Sequence, residues 1–410
     1  MKEELLARVW RSKMLKGREL VTTGGQRLRI MHPGWANGGS GPDFHHAVIA
    51  LKENGLLKGD VEIHVSSSQW RSHGHHRDPG YNGVILHVVM WHDKDMPTML
   101  QNGDSVPVLS LEPYSELFPQ SMERLYEFDE WEEPCHDLQA RLGVAAVGGL
   151  LDGAGDERFG LKVAHFRREL AVKEGDQIVY EGLMRALGYS KNKEPFKELA
   201  YRLPLKALQA IASEESGHRR GLVLGKALLS AAGLAASPKR IDPWCEAEWH
   251  LTGIRPCNRP QLRIAGAGYL LARYMEKGLV SGVLKLVRCA DLKRGYKILE
   301  HGIMVTGNGA KSALIGWGRA REIAVNVVLP FSFAWGEMES QPVLREHTLE
   351  LYRSYPKLEE NQVTRQMQRQ LFGEEGITVV NSARRQQGLI HFYHHHCLSG
   401  DCLHCLLGSE

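Results

Sequence analysis

The sequence predicts an α+β protein. An N-terminal α/β region with a mixed sheet covers residues 1–148, a mostly helical domain covers 149–390, and a Cys-rich metal-binding tail covers 391–410. Three observations lead there. Between Leu28 and Leu111 the apolar residues alternate or run together in short stretches, which is the period of strands. From Arg158 onward they recur at three- and four-residue spacing, as in Phe159, Val163, Phe166 and Leu170, the apolar face of a helix. Finally, Cys397, Cys402 and Cys405 crowd into the last residues.

Taken in order, Lys2 to about Met14 reads as a helix with Leu5, Leu6, Val9, Trp10 and Met14 on one face. Gly24-Gly25 is a turn, and Leu28 and Ile30 alternate in a short strand. From His32-Pro33-Gly34 to Gly41-Pro42 the chain is a glycine-rich loop, either a close approach to a ligand or a plain connector. Val61, Ile63 and Val65 then alternate with Asp60, Glu62, His64 and Ser66, so one strand face is apolar and the other polar. Val84 to Trp91 is strongly apolar and reads as a central strand, and Val106–Leu111 offers another. Further helical patterns cover Ile178–Leu187, Gly221–Ala232, Gln261–Met275 and Leu344–Tyr352, separated by interruptions such as Leu234–Pro243.

Composition is that of an ordinary soluble globular chain, 43% hydrophobic and 24% charged, without internal repeats. Lys and Arg number 51 against 48 Asp and Glu, so net charge alone does not point to nucleic acid. No apolar run is long enough to span a bilayer and no signal-peptide pattern opens the chain, so a cytoplasmic protein without a membrane partner is expected. With seven Cys and no export signal, disulfides are not expected, and the clustered Cys read as metal ligands instead.

Asp43, Glu62 and His64 are the catalytic candidates. Oxygen ligands from two neighbouring elements beside a proton-handling imidazole suit a hard cation, Mg or Mn. The ordinary alternative is a half-buried strand with one solvated side. His73, His75, Asp78 and His87 could support that site or, with His64, form a histidine-rich one; a strand histidine such as His87 is more often a satisfied core position. The C-x4-C-x2-C spacing of Cys397, Cys402 and Cys405 matches the Cys triplet of plant-type ferredoxins, so an iron–sulfur cluster or zinc is expected there. Cys135, Cys245, Cys257, Cys289, His404 and the His394-His395-His396 run are candidates for the fourth ligand. If it is Cys135, the metal ties the C-terminus to the first region, worth on the order of 10 kcal/mol. Gly307 to Ser312 lacks the P-loop glycine, because Ala310 precedes Lys311, although a helix start there could still hold a phosphate. Arg255, Arg259, Arg263, Arg319, Arg321, Arg384 and Arg385 are either contacts to a nucleic-acid backbone or members of surface ion pairs.

Several of these residues carry a resemblance. Gly41-Pro42-Asp43-Phe44, Val61-Glu62-Ile63-His64, Trp70 with His73 and His75, Tyr81, Leu86-His87-Val88-Val89, Arg255-Pro256 and the final Cys triplet resemble, over nearly the whole chain, domain-of-unknown-function family 2851. That family's pattern has Cys at the position of Cys135 but not of Cys257, which implies Cys135 as the fourth ligand. Locally, Pro42-Asp43 followed by Glu62-Ile63-His64 is similar to the PD-(D/E)XK nuclease signature. This implies that Asp43 and Glu62 bind Mg²⁺ and that Glu3 or Glu4 of the preceding helix assists. His64 stands where that signature has the Lys that positions water. CRISPR-associated exonucleases and AddB-type repair nucleases resemble the chain in tying a C-terminal Cys triplet to a distant Cys around an iron–sulfur cluster, although their distant Cys precedes the nuclease core. The expected function is therefore a metal-dependent nuclease acting on DNA or RNA. The alternatives are a non-catalytic nucleic-acid-binding or scaffold protein, and a zinc or manganese hydrolase using the His cluster.

Overall fold

The structure, a computed structural model, describes residues 2–15, 18–51, 55–118, 135, 138–189, 192–234, 249–251, 258–292, 294–306, 313–372, 379–397 and 405–407. Cys245, Cys257, Cys402, His404, Arg255 and the 307–312 segment lie outside the described residues. The chain forms two compact units: Met1–Leu138 with Gln370–Gly373 and Phe392–Glu410, and Gln139–Arg369 with Glu374–His391. Two expectations change. The first boundary falls at Leu138 rather than 148, because a helix spans Leu138–Leu170 and takes Gly148 and Gly149 inside it; its break is at Gly143, where φ is 79°. The described residues of the tail, 392–397 and 405–407, group with the first unit.

In the first unit, α1 (Glu3–Arg11) has acids in its first turn and Arg8 and Arg11 in its last, as the helix dipole favours. Its apolar face buries Leu6, Val9 and Trp10, and the Trp10 indole N–H donates to the Pro33 carbonyl at 2.8 Å. Among the described residues, nine strands follow: β1 (Leu20–Val21), β2 (Arg27–His32), β3 (Trp35–Ala36), β4 (Phe44–Leu51), β5 (Gly55–Ser66), β6 (Val84–Trp91), β7 (Thr98–Met99), β8 (Ser105–Val106) and β9 (Val108–Ser110). The main sheet runs β1-β2-β4-β5-β6-β9, with β3 on β4. Pairing is antiparallel as far as β5, then parallel for β5–β6 and β6–β9, so the sheet is mixed as expected. A parallel pair needs a crossover, and the β5–β6 crossover carries α2 (Gln69–Ser72) and the histidines. β7 and β8 form a separate hairpin.

Two details position the candidate site. Phe44 faces Val61 while Ala47 faces Gly59, so β4 carries a bulge there, with His46 at φ 59°. In the parallel register, Glu62 lies beside His87 and His64 beside Val89. Val61 and Ile63 pack with Leu6, Val9, Trp10, Leu86 and Val88 in the main core. A smaller apolar cluster of Trp70, Tyr81, Val84, Leu100 and Val106 comes from the crossover, β6 and the hairpin region.

The second unit is helical: α3 (Leu138–Leu170), α4 (Gly175–Leu187), α5 (Lys193–Arg202), α6 (Leu205–Ile211), α7 (Gly217–Ala231), α8 (Pro260–Tyr274), α9 (Leu279–Cys289), α10 (Tyr296–Ile303), α11 (Trp317–Ile323), α12 (Leu329–Met338), α13 (Pro342–Ser354), α14 (Gln362–Phe372) and α15 (Ala383–His395), the last two ending in segments of the first unit. Phe159, Val163 and Phe166 enter its core, and Leu170 packs partly buried against it. A π-helical turn, Ala324–Val328, joins α11 to α12.

Candidate metal centre

At Glu62 and His64 the polar face of β5 is not solvated, while Asp60 and Ser66 on that face are partly exposed. Glu62, His64 and His87 are 5%, 1% and 0% exposed. The crossover supplies the cover: Trp70 stacks edge-on against His75 at 5.4 Å, and the Tyr81 ring lies 3.9 Å from the His75 ring. An ionisable group at such depth must be paired, neutralised or bound to a cation.

Asp43 and Glu62 come together as the sequence suggested. The Asp43 N–H donates to Glu62 Oε2 at 3.0 Å, and the Ile63 N–H donates to Asp43 Oδ2 at 2.9 Å. Burial, then the Glu62 carboxylate, push the Asp43 carboxyl up to about 6; Glu3 adds to this, while the Ile63 N–H and His75 oppose it. Between the two helix acids the structure chooses Glu3, partly buried, over exposed Glu4. Gln69 holds it, donating from Nε2 to Glu3 Oε1 at 2.9 Å while its own Oε1 accepts the Ser66 N–H.

The histidines form a chain. Thr98 Oγ1 lies 3.0 Å from His87 Nδ1, His87 Nε2 lies 2.9 Å from His64 Nδ1, and His64 Nε2 lies 3.1 Å from His73 Nδ1. Burial followed by the neighbouring imidazoles pushes His64 down to about 2; burial, then His75 and His92, push His87 down to about 3. Both rings are neutral at pH 7, and a neutral imidazole carries one N–H and one lone pair. The chain is therefore polarised in one sense or the other. In one of them His87 donates to Thr98 and His64 donates to His87, which leaves the His64 Nε2 lone pair facing His73 and Glu62. That is the tautomer a metal ligand adopts when its other nitrogen is anchored.

Among the described residues, the potential ligand group comprises His64, His73 and His75, one ring nitrogen of each lying within 4.8 Å of the others; His73 is exposed and the other two are buried. Glu62 Oε1 is 3.3 Å from His75 Nε2 and 3.6 Å from His64 Nε2. The first contact is close but not aligned as a hydrogen bond, and His75 Nε2 is a buried ring nitrogen without one. Such an atom costs about 1–3 kcal/mol unless something else satisfies it. The donor set, imidazoles beside carboxylates, fits Mn²⁺ or Zn²⁺ better than Mg²⁺.

Other candidates fall elsewhere. Asp78 is exposed and caps the next turn, accepting the Gly80 N–H at 2.8 Å. His87 is both a satisfied core histidine and a partner of His64. Thr98 and Gln69 carry no local sign of their role, and Trp70 and Tyr81 are marked in the sequence only by the family resemblance. Cys135 and Cys405 are buried and Cys397 partly exposed, all in the first unit, whereas Cys289 is exposed in the second. Gln370 donates from Nε2 to Cys135 Sγ at 3.0 Å. Burial, then Cys397 and Asp60, push the Tyr393 hydroxyl up to about 12, and its ring lies 6.3 Å from that of His46 at the β4 bulge. Most of the suspected arginines are occupied within the fold. Arg384 clamps Asp156, Arg385 clamps Asp152, Arg321 pairs with Glu300, and Arg263 holds the Leu314 carbonyl and Asn258.

No curated protein and no solved structure matches the chain. A family profile described as protein of unknown function (DUF2851) matches residues 3–362, nearly the whole length over which the N-terminal sheet and the helices unfold in order, so the chain belongs to the DUF2851 family.

Proposed function

We propose that the first unit is a metal-dependent phosphodiesterase acting on nucleic acid, in keeping with its local resemblance to PD-(D/E)XK nucleases. One observation carries this reading: the Glu62 carboxylate on β5, the Asp43 carboxylate just before β4, a third from the preceding helix and three imidazoles come together, with His64 and His75 buried, His73 at the exposed edge, and His75 Nε2 without a hydrogen bond. His64, His73 and His75 with Glu62 would hold the ion, and Asp43 and Glu3 would form the acidic rim beside it. Once bound, a divalent ion lowers the pKa of a coordinated water and offsets charge on the phosphate. The chain's own residues do the rest. Thr98 and His87 fix the His64 tautomer, Gln69 aims Glu3, and Trp70 and Tyr81 exclude bulk water.

His64 in the lysine position favours a second reading, a manganese or zinc hydrolase of small substrates built on the same His cluster. A third is a binding-only protein. Purified full-length protein with Mn²⁺, Zn²⁺ or Mg²⁺ on labelled single- and double-stranded DNA and RNA separates them. Cleavage should fall by at least about a hundredfold in Glu62→Ala, the scale of losing one catalytic group. Cleavage unaffected by Glu62→Ala would rule out the phosphodiesterase reading. Metal retained at stoichiometry without cleavage of nucleic acid would favour the small-substrate hydrolase.

The Cys site we read as structural, an iron–sulfur cluster or zinc on Cys135, Cys397, Cys402 and Cys405. The grouping of Cys135, Cys397 and Cys405 in one unit supports it. An anaerobic preparation absorbing near ~400 nm indicates iron–sulfur, and a colourless one holding zinc excludes it.

A further inference from the structure

The second unit holds a cluster of cations that its ion pairs do not account for. Lys162, on α3, donates from Nζ to Asn326 Oδ1 and to Gln387 Oε1, each at 2.6 Å. Arg158, one turn earlier, donates from Nε to that same Gln387 oxygen at 3.0 Å. Two cations thus share one neutral amide oxygen, where a buried pair of this kind is ordinarily compensated by a carboxylate. Gln387 is 2% exposed, so the shared oxygen is shielded from water. Lys162 is partly exposed as a residue, yet its ammonium end is enclosed.

The surroundings add positive charge. Lys193, on α5, acts on Lys162, and Arg319, on α11, acts on Lys193; the carboxylate felt by Lys162, Lys193 and Arg319 alike is Glu322. Burial is the first cause lowering all three, with fellow cations contributing. Glu322 is itself engaged, since Oε2 accepts from Asn326 Nδ2 at 2.9 Å. Asn326 lies in the π-helical turn, and its Nδ2 also donates to the Glu322 carbonyl at 2.8 Å. Interruptions of this kind in a helix are frequent at functional sites. Arg319 lies over the Tyr189 ring at 3.0 Å, and its Nε is buried without a hydrogen bond. Among the described residues, the terminal amino groups of Arg158 and the exposed Lys193 ammonium have no hydrogen bond or ion pair, so donors remain at the solvent edge.

We propose that Arg158, Lys162, Lys193 and Arg319 form a binding site for the phosphate group of a phosphorylated ligand. Guanidinium and ammonium donors around a shielded neutral acceptor match the multiple oxygens of phosphate, which would replace the shared amide oxygen as their counter-charge. The source is either a phosphodiester strand or a free phosphorylated small molecule. Only the first choice rests on the nuclease reading; the phosphate site stands without it.

The test uses the full chain and calorimetric titration with inorganic pyrophosphate and with a short labelled single-stranded oligonucleotide, at several salt concentrations. Saturable binding is expected, weakened at least about tenfold by Arg158→Gln and by Lys193→Gln, the scale of one charge-assisted hydrogen bond. With the oligonucleotide, each change should also lower the salt slope by about one. Lys206→Gln, which removes an exposed lysine paired with Glu174, is the control and should bind as the wild type does. Both variants lie at the solvent edge, and their circular dichroism checks the fold. Oligonucleotide displaced by pyrophosphate assigns the site to a strand; pyrophosphate binding without oligonucleotide binding assigns it to a small molecule. No saturable binding of either probe, or binding equal in wild type, Arg158→Gln and Lys193→Gln, overturns the proposal. Phosphate binding that survives in Glu62→Ala while cleavage is lost keeps this site separate from the catalytic reading.

Discussion

At the residue scale, His64 owes its chemistry to residues far from it in sequence. Its Nδ1 is anchored through His87 to Thr98, so the direction of that chain decides whether Nε2 offers a lone pair. Thr98→Val removes the terminal acceptor. It is expected to weaken Mn²⁺ binding about ten- to a hundredfold, as losing an outer partner of a ligating histidine does, measured by titration calorimetry. Unchanged affinity would mean that the chain is polarised the other way. Asp43 makes a second case. Its folded pKa, about 6, lies above its ordinary value, so its contribution to stability is fully present below pH 4 and is lost as pH rises through 6. Metal-free Asp43→Asn should therefore be more stable than the wild type at pH 7, by on the order of 1–2 kcal/mol after allowing for its partial exposure. The gap should close as pH falls toward 4 in urea titrations. A gap that persists at pH 4 would mean that burial of the ionised carboxylate, with Glu62 beside it, is not its source.

At the scale of elements, close approach matters as much as periodicity. The α7–α8 crossing is made of small residues: a Cβ on Gly268 would overlap the Gly225 backbone nitrogen and come within 2.7 Å of the Gly221 carbonyl. These are backbone atoms and cannot swing aside. Gly268→Ala is expected to cost about 1–3 kcal/mol, read from the denaturation midpoint, and a neutral result would mean the two helices separate freely. The alternation Val61-Ile63-Val65 was enough to foresee β5 and its two faces, and the unbroken apolar run foresaw β6 as an interior strand. It was not enough to foresee that β5's second face is covered at Glu62 and His64. That depends on Trp70 and Tyr81 in the crossover, whose placement follows from the parallel β5–β6 connection. For the same reason Asp78, spaced like the histidines, turned out to serve a turn instead.

At the scale of the molecule, each unit has its own core. Trp10 is fully buried in the first, and Trp10→Ala is expected to destabilise that unit by about 3–5 kcal/mol. Calorimetry should show one transition lowered and the other in place; a single transition moving as a whole would show that the units unfold together. The described tail residues 392–397 and 405–407 group with the first unit, and so do Cys135, Cys397 and Cys405.

The sequence by itself determined the α+β class, the periods of α1, β5, β6 and the main helices, the directions of Glu62 and His64 away from Val61 and Ile63, and the candidates Asp43, Glu62, His64, His73 and His75. These are local properties, because backbone geometry alone sets which way successive side chains point. Only the tertiary structure decided that Glu62 and His64 are buried, that Gln69 selects Glu3 over Glu4, that Thr98 ends the histidine chain, and that Arg158 and Lys162 share one amide oxygen of Gln387. Burial and charge compensation depend on what other elements lay over a face, and no local pattern carries that information.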